Sequence, residues 1–454
     1  MASAGDAENG GGVMRILIIS HGHPAFSIGG VEVASHALFR AIQTTGTDEA
    51  FYLARAAPPM TRHAATPLMS LRQGERETFL HTDSWDEFWL SNGGLDDLTN
   101  GFGAYLDQVR PDVVHFHHVI GLGVEAIALV RRRLPSARIV MTFHEYLPIC
   151  ANHGQMVTAR RNRLCHEASP AACNGCFPER SPAELFQREQ HLKNYFMLAD
   201  GFILPSRFLV ERYAAWGLPA ERFHVIENGL EGVAVPHRPL PPGGRRDRFA
   251  FFGQVSEFKG LHVLLDAVTR VPDEIWGDAS VNVFGGNLEF QPEAFRTRFS
   301  ALMERAGRRT RFHGAYRPAD LPALIAAVDW TIVPSIWWEN SPVVIQESFL
   351  HRRPLIVSNI GGMAEKVRDG LDGLHFRVGS SEDLADRLRM ALLEPGLWPR
   401  LAEAAPVPPD LPTSAAQHLA VYRAGSLYPG AGRPTTKQNA ARRKSSAAHE
   451  RAIA

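Results

Sequence analysis

The chain has 454 residues, of which 45% are hydrophobic and 21% are charged, and its 48 Lys and Arg residues balance its 48 Asp and Glu residues. At about 150 residues per domain, this length predicts two or three domains, each long enough to bury a core. The formal net charge of +0 excludes a global field that would attract nucleic acid. No apolar run reaches the roughly 20 residues that span a bilayer, so we expect a soluble protein.

The first 235 residues predict a disordered start followed by an α/β domain. Residues 1–13 are small, polar and Gly-rich and lack the basic and apolar regions of a secretory signal, which indicates a cytoplasmic protein. Apolar runs that are typical of buried strands follow at 15–20, 112–118, 138–144, 201–206 and 223–228. Helical periods lie between them, for example at Ala34, Ala37, Leu38 and Ala41. This alternation predicts a parallel sheet covered on both faces, and we assign residues 14–235 to it.

The rest of the chain predicts a second domain of the same design. Residues 236–248 are rich in Pro and Gly and are predicted to be an interdomain linker. Further strands are expected at 248–253, 281–286, 311–316, 330–335, 354–359 and 375–378, within a domain spanning 249–395. We expect residues 396–424 to pack back on the body and 425–454, which lack periodicity, to be a disordered tail. Two such doubly wound domains bind ligands in a cleft at the carboxyl ends of their strands.

The strongest chemical pattern follows the predicted strand 330–335. We expect a helix to start there with Ser341 as N-cap and Pro342 as its first residue. The free N–H groups of the first turn, which includes Val343, are suited to a phosphate. Glu339 precedes the helix, and Glu347 in its second turn leans back toward the helix N-terminus. Two carboxylates beside an anion site fit a nucleotide-sugar, whose diphosphate lies between hydroxyl-bearing groups.

Two Glu residues with seven residues between them, placed between a strand and a helix, resemble the signature of family 4 (group 1) retaining glycosyltransferases of the GT-B fold. The run Trp338-Glu339-Asn340-Ser341-Pro342, followed by Gly361-Gly362-Met363-Ala364-Glu365, is similar to many bacterial members. The resemblance covers most of residues 14–395. It implies two Rossmann-like domains that face each other across a cleft. It also implies that Glu339 holds the sugar hydroxyls, that Glu347 holds the ribose, and that Asn340 helps to bind the donor.

Two glycine-containing loops complete the predicted donor site. Lys259 lies just past a strand at the start of a helix, where its ammonium can neutralise a departing diphosphate. The family commonly has an Arg where Gln254 stands, so this chain departs from the two-cation pattern. Gly29 and Gly30 resemble the family's Gly-Gly-x-Glu loop, whose backbone can approach the donor phosphate and the acceptor closely.

Histidines at strand ends are further candidates for the site. His144 matches a family position that faces the transferred sugar and the acceptor, and His115, His117 and His118 end the preceding strand. No Asp-x-Asp occurs in the sequence, which argues against a divalent metal on the diphosphate. We therefore expect no cofactor for catalysis, with Lys259 and the helix N-terminus supplying the positive charge.

All four cysteines lie in one polar segment of the first domain, an insertion at about 148–180. Their spacing, C-x14-C-x7-C-x2-C, is that of Cys150, Cys165, Cys173 and Cys176. Four thiols in one loop-like segment predict a structural Zn²⁺ site rather than an iron–sulfur cluster, and similar insertions occur in part of the family. The alternatives are unrelated reduced thiols, or disulfides in an oxidising compartment.

Together these patterns predict a retaining glycosyltransferase that moves a hexose-type sugar from a nucleotide diphosphate-sugar to a glycan or lipid-linked acceptor. Family habit implies polysaccharide or glycolipid assembly, with peripheral association at the inner face of the membrane. Two alternatives stay open. One is a sugar-nucleotide epimerase or hydrolase on the same fold. The other is a non-catalytic scaffold that binds a nucleotide-sugar, which is consistent with the uncharged Gln254 at a position where the family commonly has an Arg.

Overall fold

The computed structural model describes residues 12–27, 29–56, 60, 66–70, 76–94, 96–160, 162–240, 242, 244–424 and 427. The predicted disordered segments, 1–13 and 425–454, lie outside these residues except for Gly12, Val13 and Leu427. The strands are β1 Arg15–Ser20, β2 Glu49–Arg55, β3 Leu68–Ser70, β4 Glu77–Leu80, β5 Trp85–Asp86, β6 Ser91–Asn92, β7 Val113–Phe116, β8 Arg138–Thr142, β9 Gly201–Leu204, β10 Phe223–Val225, β11 Arg248–Phe252, β12 Ser280–Phe284, β13 Thr310–Gly314, β14 Trp330–Val333, β15 Leu355–Ser358 and β16 Gly373–Phe376. The α-helices are α1 Gly30–Thr45, α2 Gly103–Val109, α3 Glu125–Arg133, α4 Pro170–Asn174, α5 Pro182–Phe196, α6 Arg207–Trp216, α7 Leu261–Arg270, α8 Asp273–Trp276, α9 Glu293–Ala306, α10 Leu321–Ala326, α11 Val343–Leu350, α12 Gly361–Lys366, α13 Ser381–Leu393, α14 Leu397–Ala404 and α15 Leu411–Arg423.

The first sheet has the strand order β10-β9-β8-β7-β1-β2-β4-β3. All its pairs are parallel except β3 with β4. Its central strands are buried on both faces, as in Ile16 to Ile19 of β1, which is why they are continuously apolar. Strand β2 is absent from the sequence-based predictions. Its two Ala residues and charged ends give a weak strand pattern, and pairing with β1 and β4 overrides it.

The second sheet has the order β13-β12-β11-β14-β15-β16 and is parallel throughout. Helix α7 covers one face with Leu261, Leu264, Leu265 and Val268, the four residues that the helical period predicts, and all are buried. The chain is therefore α/β with two largely parallel sheets, and the carboxyl ends of both sets of strands carry the predicted site residues.

The C-terminal helix α15 packs on the first domain, far in sequence from the strands it covers. Leu419, Val421 and Tyr422 are buried with Ile18 of β1 and Leu38 of α1 in one core. The chain passes between the two domains twice, near Leu230 and again near Pro409. These two segments run side by side, because the amide of Leu230 donates to the Pro409 carbonyl and the amide of Leu411 donates to the Leu230 carbonyl. The C-terminal segment thus ties the two domains together.

Residues of the predicted linker are held to the second domain. The guanidinium groups of Arg238 and Arg246 both pair with the buried carboxylate of Asp329.

Helices long and apolar enough to cross a membrane do not occur in the part of the chain that the structure describes.

Candidate functional site

The predicted carboxylate Glu339 and the predicted cation Lys259 form a direct ion pair. Lys259 Nζ lies 2.7 Å from Glu339 Oε1, which also accepts hydrogen bonds from Ser335 Oγ at 2.7 Å and from Trp337 Nε1 at 2.9 Å. Burial alone would raise the pKa of Glu339, but the ammonium of Lys259 and these hydrogen bonds hold the pKa below its usual value. The carboxylate is therefore fixed and ionised, with Oε2 free of protein partners among the described residues.

Close backbone packing brings the two loops of this pair together. Gly260 has φ 69°, and a Cβ there would lie 1.8 Å from the carbonyl oxygen of Pro334. A Cβ on Gly362 would lie 1.5 Å from the Asn340 carbonyl oxygen. Neither position has room for a side chain, so these glycines permit the approach that aligns Lys259 with Glu339.

Helix α11 starts one residue later than predicted. Its first residue is Val343 and its N-cap is Pro342, with no side-chain cap. The prediction of Ser341 as N-cap is wrong, because its hydroxyl donates instead to Glu227 Oε1 of the first domain at 3.0 Å. Glu227 also pairs with Lys366 Nζ at 2.7 Å. The Ile345 amide donates to the Pro342 carbonyl, whereas the amides of Val343 and Val344 have no side-chain acceptor among the described residues and can meet an anion.

Asn340 joins the two domains at the predicted site. Its Oδ1 accepts a hydrogen bond from the hydroxyl of Ser206, the N-cap of α6, and its Nδ2 donates to the His144 carbonyl at 3.3 Å. The side chains of Ser206 and Asn340 are both buried. His144 of the first domain and the Glu339–Asn340 loop of the second are thus neighbours.

His144 is partly buried and adjoins two buried imidazoles, those of His117 and His115. A hydrogen bond of 3.0 Å joins its Nε2 to Nδ1 of His117. His115, whose ring centroid lies 4.2 Å from that of His117, is hydrogen bonded to Thr142 Oγ1 at 2.7 Å and to Tyr422 OH at 2.6 Å. Burial lowers the pKa of His144 to about 3, so its ring is neutral and can donate or accept a hydrogen bond without charge.

The neighbouring His118 has a defined tautomer. The amides of Val119 and Ile120 donate to its Nδ1, so its proton lies on Nε2, which is 3.1 Å from Glu145 Oε1. This bonding gives His118 a role in holding the strand end rather than one in the cleft.

Among the described residues, no side-chain hydrogen bond or ion pair joins the remaining predicted donor residues to Lys259 or to the Glu339 carboxylate. Burial raises the pKa of Glu347 to about 7, and the nearby hydroxyl of Tyr316 has its pKa raised to about 12 by burial and by Glu347. Gln254 is exposed at the end of β11. Gly29 is the N-cap of α1, and Gly30 is that helix's first residue. A Cβ on Gly29 would lie 2.4 Å from Glu32 Oε2, so Glu32 folds back over this loop.

The four cysteines are free and partly buried. Burial raises the pKa of the Cys150 thiol to about 11, and the charges of Cys165 and Cys173 act in the same direction. However, no three of these thiols come within 4.8 Å of one another in the described part of the chain. Cys165 Sγ donates to the Glu167 carbonyl at 3.3 Å. Zinc binding by these four thiols stays a prediction.

Among the described residues, the ligand atoms of one set of metal-ligating groups do lie within 4.8 Å of one another, namely His23, His36 and Glu77. The two imidazole Nε2 atoms lie 2.6 Å and 3.0 Å from Glu77 Oε2. The amide of Ala25 donates to His23 Nδ1, so the His23 proton lies on Nε2 and points at Glu77. That proton occupies the position a metal would need, and the three side chains form a hydrogen-bonded anchor for the loop before α1.

Sequence reasoning missed several residues around the pair. Ser335 and Trp337 lie within the recognised motif, but nothing in the pattern assigns their hydrogen bonds to Glu339. Tyr146 is buried close to Glu339, and its hydroxyl finds no hydrogen-bond partner among the described residues. Trp338 inserts into the first domain, where its indole N–H donates to the Cys165 carbonyl at 2.9 Å. The last two contacts, those of Tyr146 and Trp338, depend on tertiary packing that no local pattern predicts.

Comparison with known families gives matches to both domains. Residues 28–231 match the family described as Glycosyltransferase Family 4, and residues 246–394 match the one described as Glycosyl transferases group 1. The chain is 25% identical over 406 residues to a glycogen synthase of Mycobacterium tuberculosis, covering 86% of this chain and 89% of the relative. It is 31% identical over 171 residues to a phosphatidyl-myo-inositol mannosyltransferase of Mycobacterium leprae, covering 37% and 43%.

Solved structures share the architecture at low identity. HepE of Anabaena, solved in complex with UDP and glucose, superposes with a TM-score of 0.61 and 18% identity over 90% of this chain and 99% of its own. Sucrose-phosphate synthase of Thermosynechococcus elongatus gives a TM-score of 0.65 and 17% identity over 90% and 98%. These likenesses establish the GT-B arrangement of the two domains.

Proposed function

Because the chain belongs to the family 4 (group 1) glycosyltransferases of the GT-B fold, we propose that it transfers a hexose-type sugar from a nucleotide diphosphate donor with retention of configuration. The proposed acceptor is a glycan or a lipid-linked sugar. The relatives named above include a polysaccharide synthase and a lipid mannosyltransferase, which supports both acceptor classes without choosing between them.

In the proposed reaction, the bond between the anomeric carbon and the diphosphate breaks while the acceptor oxygen bonds on the same face. The acceptor proton passes to the departing diphosphate oxygen. Lys259 and the uncapped N–H groups of α11 would neutralise that diphosphate, and no metal is required for this step. Glu339 would hold sugar hydroxyls through Oε2, Glu347 the ribose, and the neutral His144 the sugar or acceptor.

The observation that carries this proposal is the Lys259–Glu339 ion pair beside the open start of α11. An ammonium that already rests on a carboxylate 2.7 Å away is positioned before the donor arrives. Positioning of this kind lowers the reorganisation needed when negative charge develops on the leaving group. A bound diphosphate would then share the ammonium with Glu339.

The test begins with the full chain and a panel of nucleotide diphosphate-sugars, screened by thermal shift, because a bound donor raises the apparent melting temperature. With the donor identified, Lys259→Ala should lower turnover by at least about 10²-fold, the loss expected for one preorganised stabiliser. Glu339→Gln should abolish most turnover while nucleotide binding survives. Nucleotide release and the anomeric configuration of the product are the measurements, with and without a chelator.

Glu304→Gln on the exposed surface of α9 is the matched control and should behave as wild type. Turnover of Lys259→Ala within about threefold of wild type would overturn the assignment of this loop. Donor binding without any nucleotide release would instead identify a non-catalytic scaffold, and an inverted product would exclude retention.

A further inference from the structure

A second cavity lies on the C-terminal domain, along one face of β12 and β13. It encloses about 550 Å³. Its lining extends from Arg248 and Ser280, the first residues of β11 and β12, to Phe284, the last residue of β12. The described lining includes none of the residues predicted for the donor site, so the cavity is distinct from the proposed active site.

Arginine dominates the charge of this cavity. Four arginines line it, and Arg309 is occupied by the carbonyls of Val268 and Val271 and by Asp273. The other three, Arg248, Arg308 and Arg311, are exposed and form no side-chain hydrogen bond or ion pair with any described residue. Asp278 is the one carboxylate in the described lining. Three unpaired guanidinium groups against one carboxylate leave a local positive charge in a chain whose net charge is +0.

The walls of the cavity offer both apolar surface and unused hydrogen-bonding groups. The His313 ring stacks on Phe284 with centroids 4.4 Å apart, and Nε2 of His313 is hydrogen bonded to Asn282 at 3.0 Å. Trp276 also lines the cavity, and its buried indole N–H has no hydrogen-bond partner in the described part of the chain. A buried donor without a partner costs free energy.

We propose that this cavity binds a phosphate-bearing ligand. Guanidinium groups bind phosphate oxygens through paired, charge-assisted hydrogen bonds, and Arg308 and Arg311 lie on opposite sides of the short turn into β13. The stacked Phe284 and His313 rings and the α10 wall then face the carbon-containing part of the ligand. The same phosphate chemistry comes from a soluble phosphate ester or from the head group of an anionic phospholipid, and the test separates these sources.

A competing account gives these arginines another purpose. Strand β13 is an edge strand of its sheet, and charged side chains on edge strands prevent pairing with a second chain. On that account the charges matter for solubility and the cavity binds nothing. The two accounts predict different results for the same variant.

The test uses Lys259→Ala as background, which removes the cation of the cleft and limits phosphate binding there. In this background, Arg308→Ala/Arg311→Ala is compared with Arg132→Ala/Arg317→Ala, which removes two exposed arginines from outside the cavity. Pyrophosphate binding is measured by calorimetry. Vesicle binding is measured by co-sedimentation with phosphatidylcholine, with and without phosphatidylglycerol. We expect the cavity variant to weaken binding at least about tenfold and the control variant to retain it, with the difference shrinking at high salt.

Loss of pyrophosphate binding alone identifies a soluble phosphate as the ligand, and loss of vesicle binding alone identifies a lipid head group; either supports the proposal. It is overturned if neither probe binds, or if both variants bind the probes equally well. Self-association of the cavity variant with anion binding unchanged would also overturn it, and would favour protection of the β13 edge. Because the background lacks Lys259, these outcomes do not depend on the proposed transferase activity.

Discussion

At the scale of single residues, the two carboxylates of the recognised motif have opposite electrostatic situations. Glu339 is ionised because Lys259 offsets its burial, whereas Glu347 has no such partner and burial raises its pKa to about 7. Sequence spacing treats them as equivalent members of one motif. The difference arises from the loop of Lys259, which lies 80 residues earlier in the chain.

The raised pKa of Glu347 predicts that nucleotide binding depends on pH. If Glu347 accepts hydrogen bonds from ribose hydroxyls, the ionised form is the one that binds, so binding releases a proton. Affinity should then rise with pH by up to about tenfold per unit below the pKa, and level off above about pH 8. Calorimetry of nucleotide diphosphate binding in buffers of different ionisation enthalpy measures both the affinity and the released proton.

Glu347→Gln is the matched variant for this prediction, since it keeps the shape of the side chain and removes its titration. It should bind nucleotide more weakly above pH 7 and lose the pH dependence. An unchanged pH dependence in Glu347→Gln would show that another group titrates on binding.

The site residues show which interactions a sequence can predict. Lys259, Glu339 and Asn340 are identified by local motifs, because each lies at a fixed offset from a strand end. The contacts of this motif with the first domain are not predicted, because they join elements more than 100 residues apart in the chain: Asn340 with Ser206, Ser341 with Glu227 and Trp338 with Cys165. The wrong N-cap at Ser341 has the same cause, since Glu227 competes with the amides of α11 for its hydroxyl.

At the scale of elements, the cysteine segment forms part of the wall beside the candidate site. The carbonyl of Cys165 accepts the Trp338 N–H, the His166 ring packs edge-on against Trp338, and Arg212 lies over the same indole. Trp338 directly precedes Glu339, so the conformation of this segment bears on the position of the carboxylate. Spacing of the cysteines predicts the cluster, but it says nothing of this contact.

We propose that the segment binds zinc, which would require its thiols to come closer together than they lie here. The expected result is about one zinc per chain in protein purified without chelator, measured by elemental analysis. Cys173→Ser should lower that content and change the fluorescence of Trp338, with Trp338→Phe identifying its contribution. Less than about a tenth of an equivalent of zinc would remove the proposal, and the thiols would then be structural neighbours only.

At the scale of the whole molecule, the C-terminal helix closes the first domain over its histidines. Tyr422 of α15 is hydrogen bonded to His115, and His418 of the same helix donates through Nδ1 to the Ser414 carbonyl. Alternating strands and helices predict the two domains, but no pattern in the segment after residue 395 predicts which domain it packs against. The segment packs on the first domain because the apolar side chains of α15 are buried against α1 and β1.

This closure predicts that the protein loses stability in mild acid. Burial lowers the pKa of His144 and His21 to about 3 and that of His418 and His262 to about 4, whereas an unfolded chain takes up these protons near the ordinary value of 6.5. Each such histidine therefore favours the folded state above pH 6.5, and that contribution falls by up to about 1.4 kcal/mol per pH unit as the pH drops toward the folded pKa. Glu347 acts in the opposite direction between its ordinary pKa and about 7, and offsets one histidine at most.

Urea unfolding of the apo protein should thus show a lower free energy of unfolding at pH 5.5 than at pH 7.5. His418→Gln, which cannot titrate, should reduce the difference, whereas His153→Gln, whose side chain is 70% exposed, should leave it unchanged. Equal stability at the two pH values would mean that the histidine cluster under α15 is open to solvent and takes up protons in the folded state.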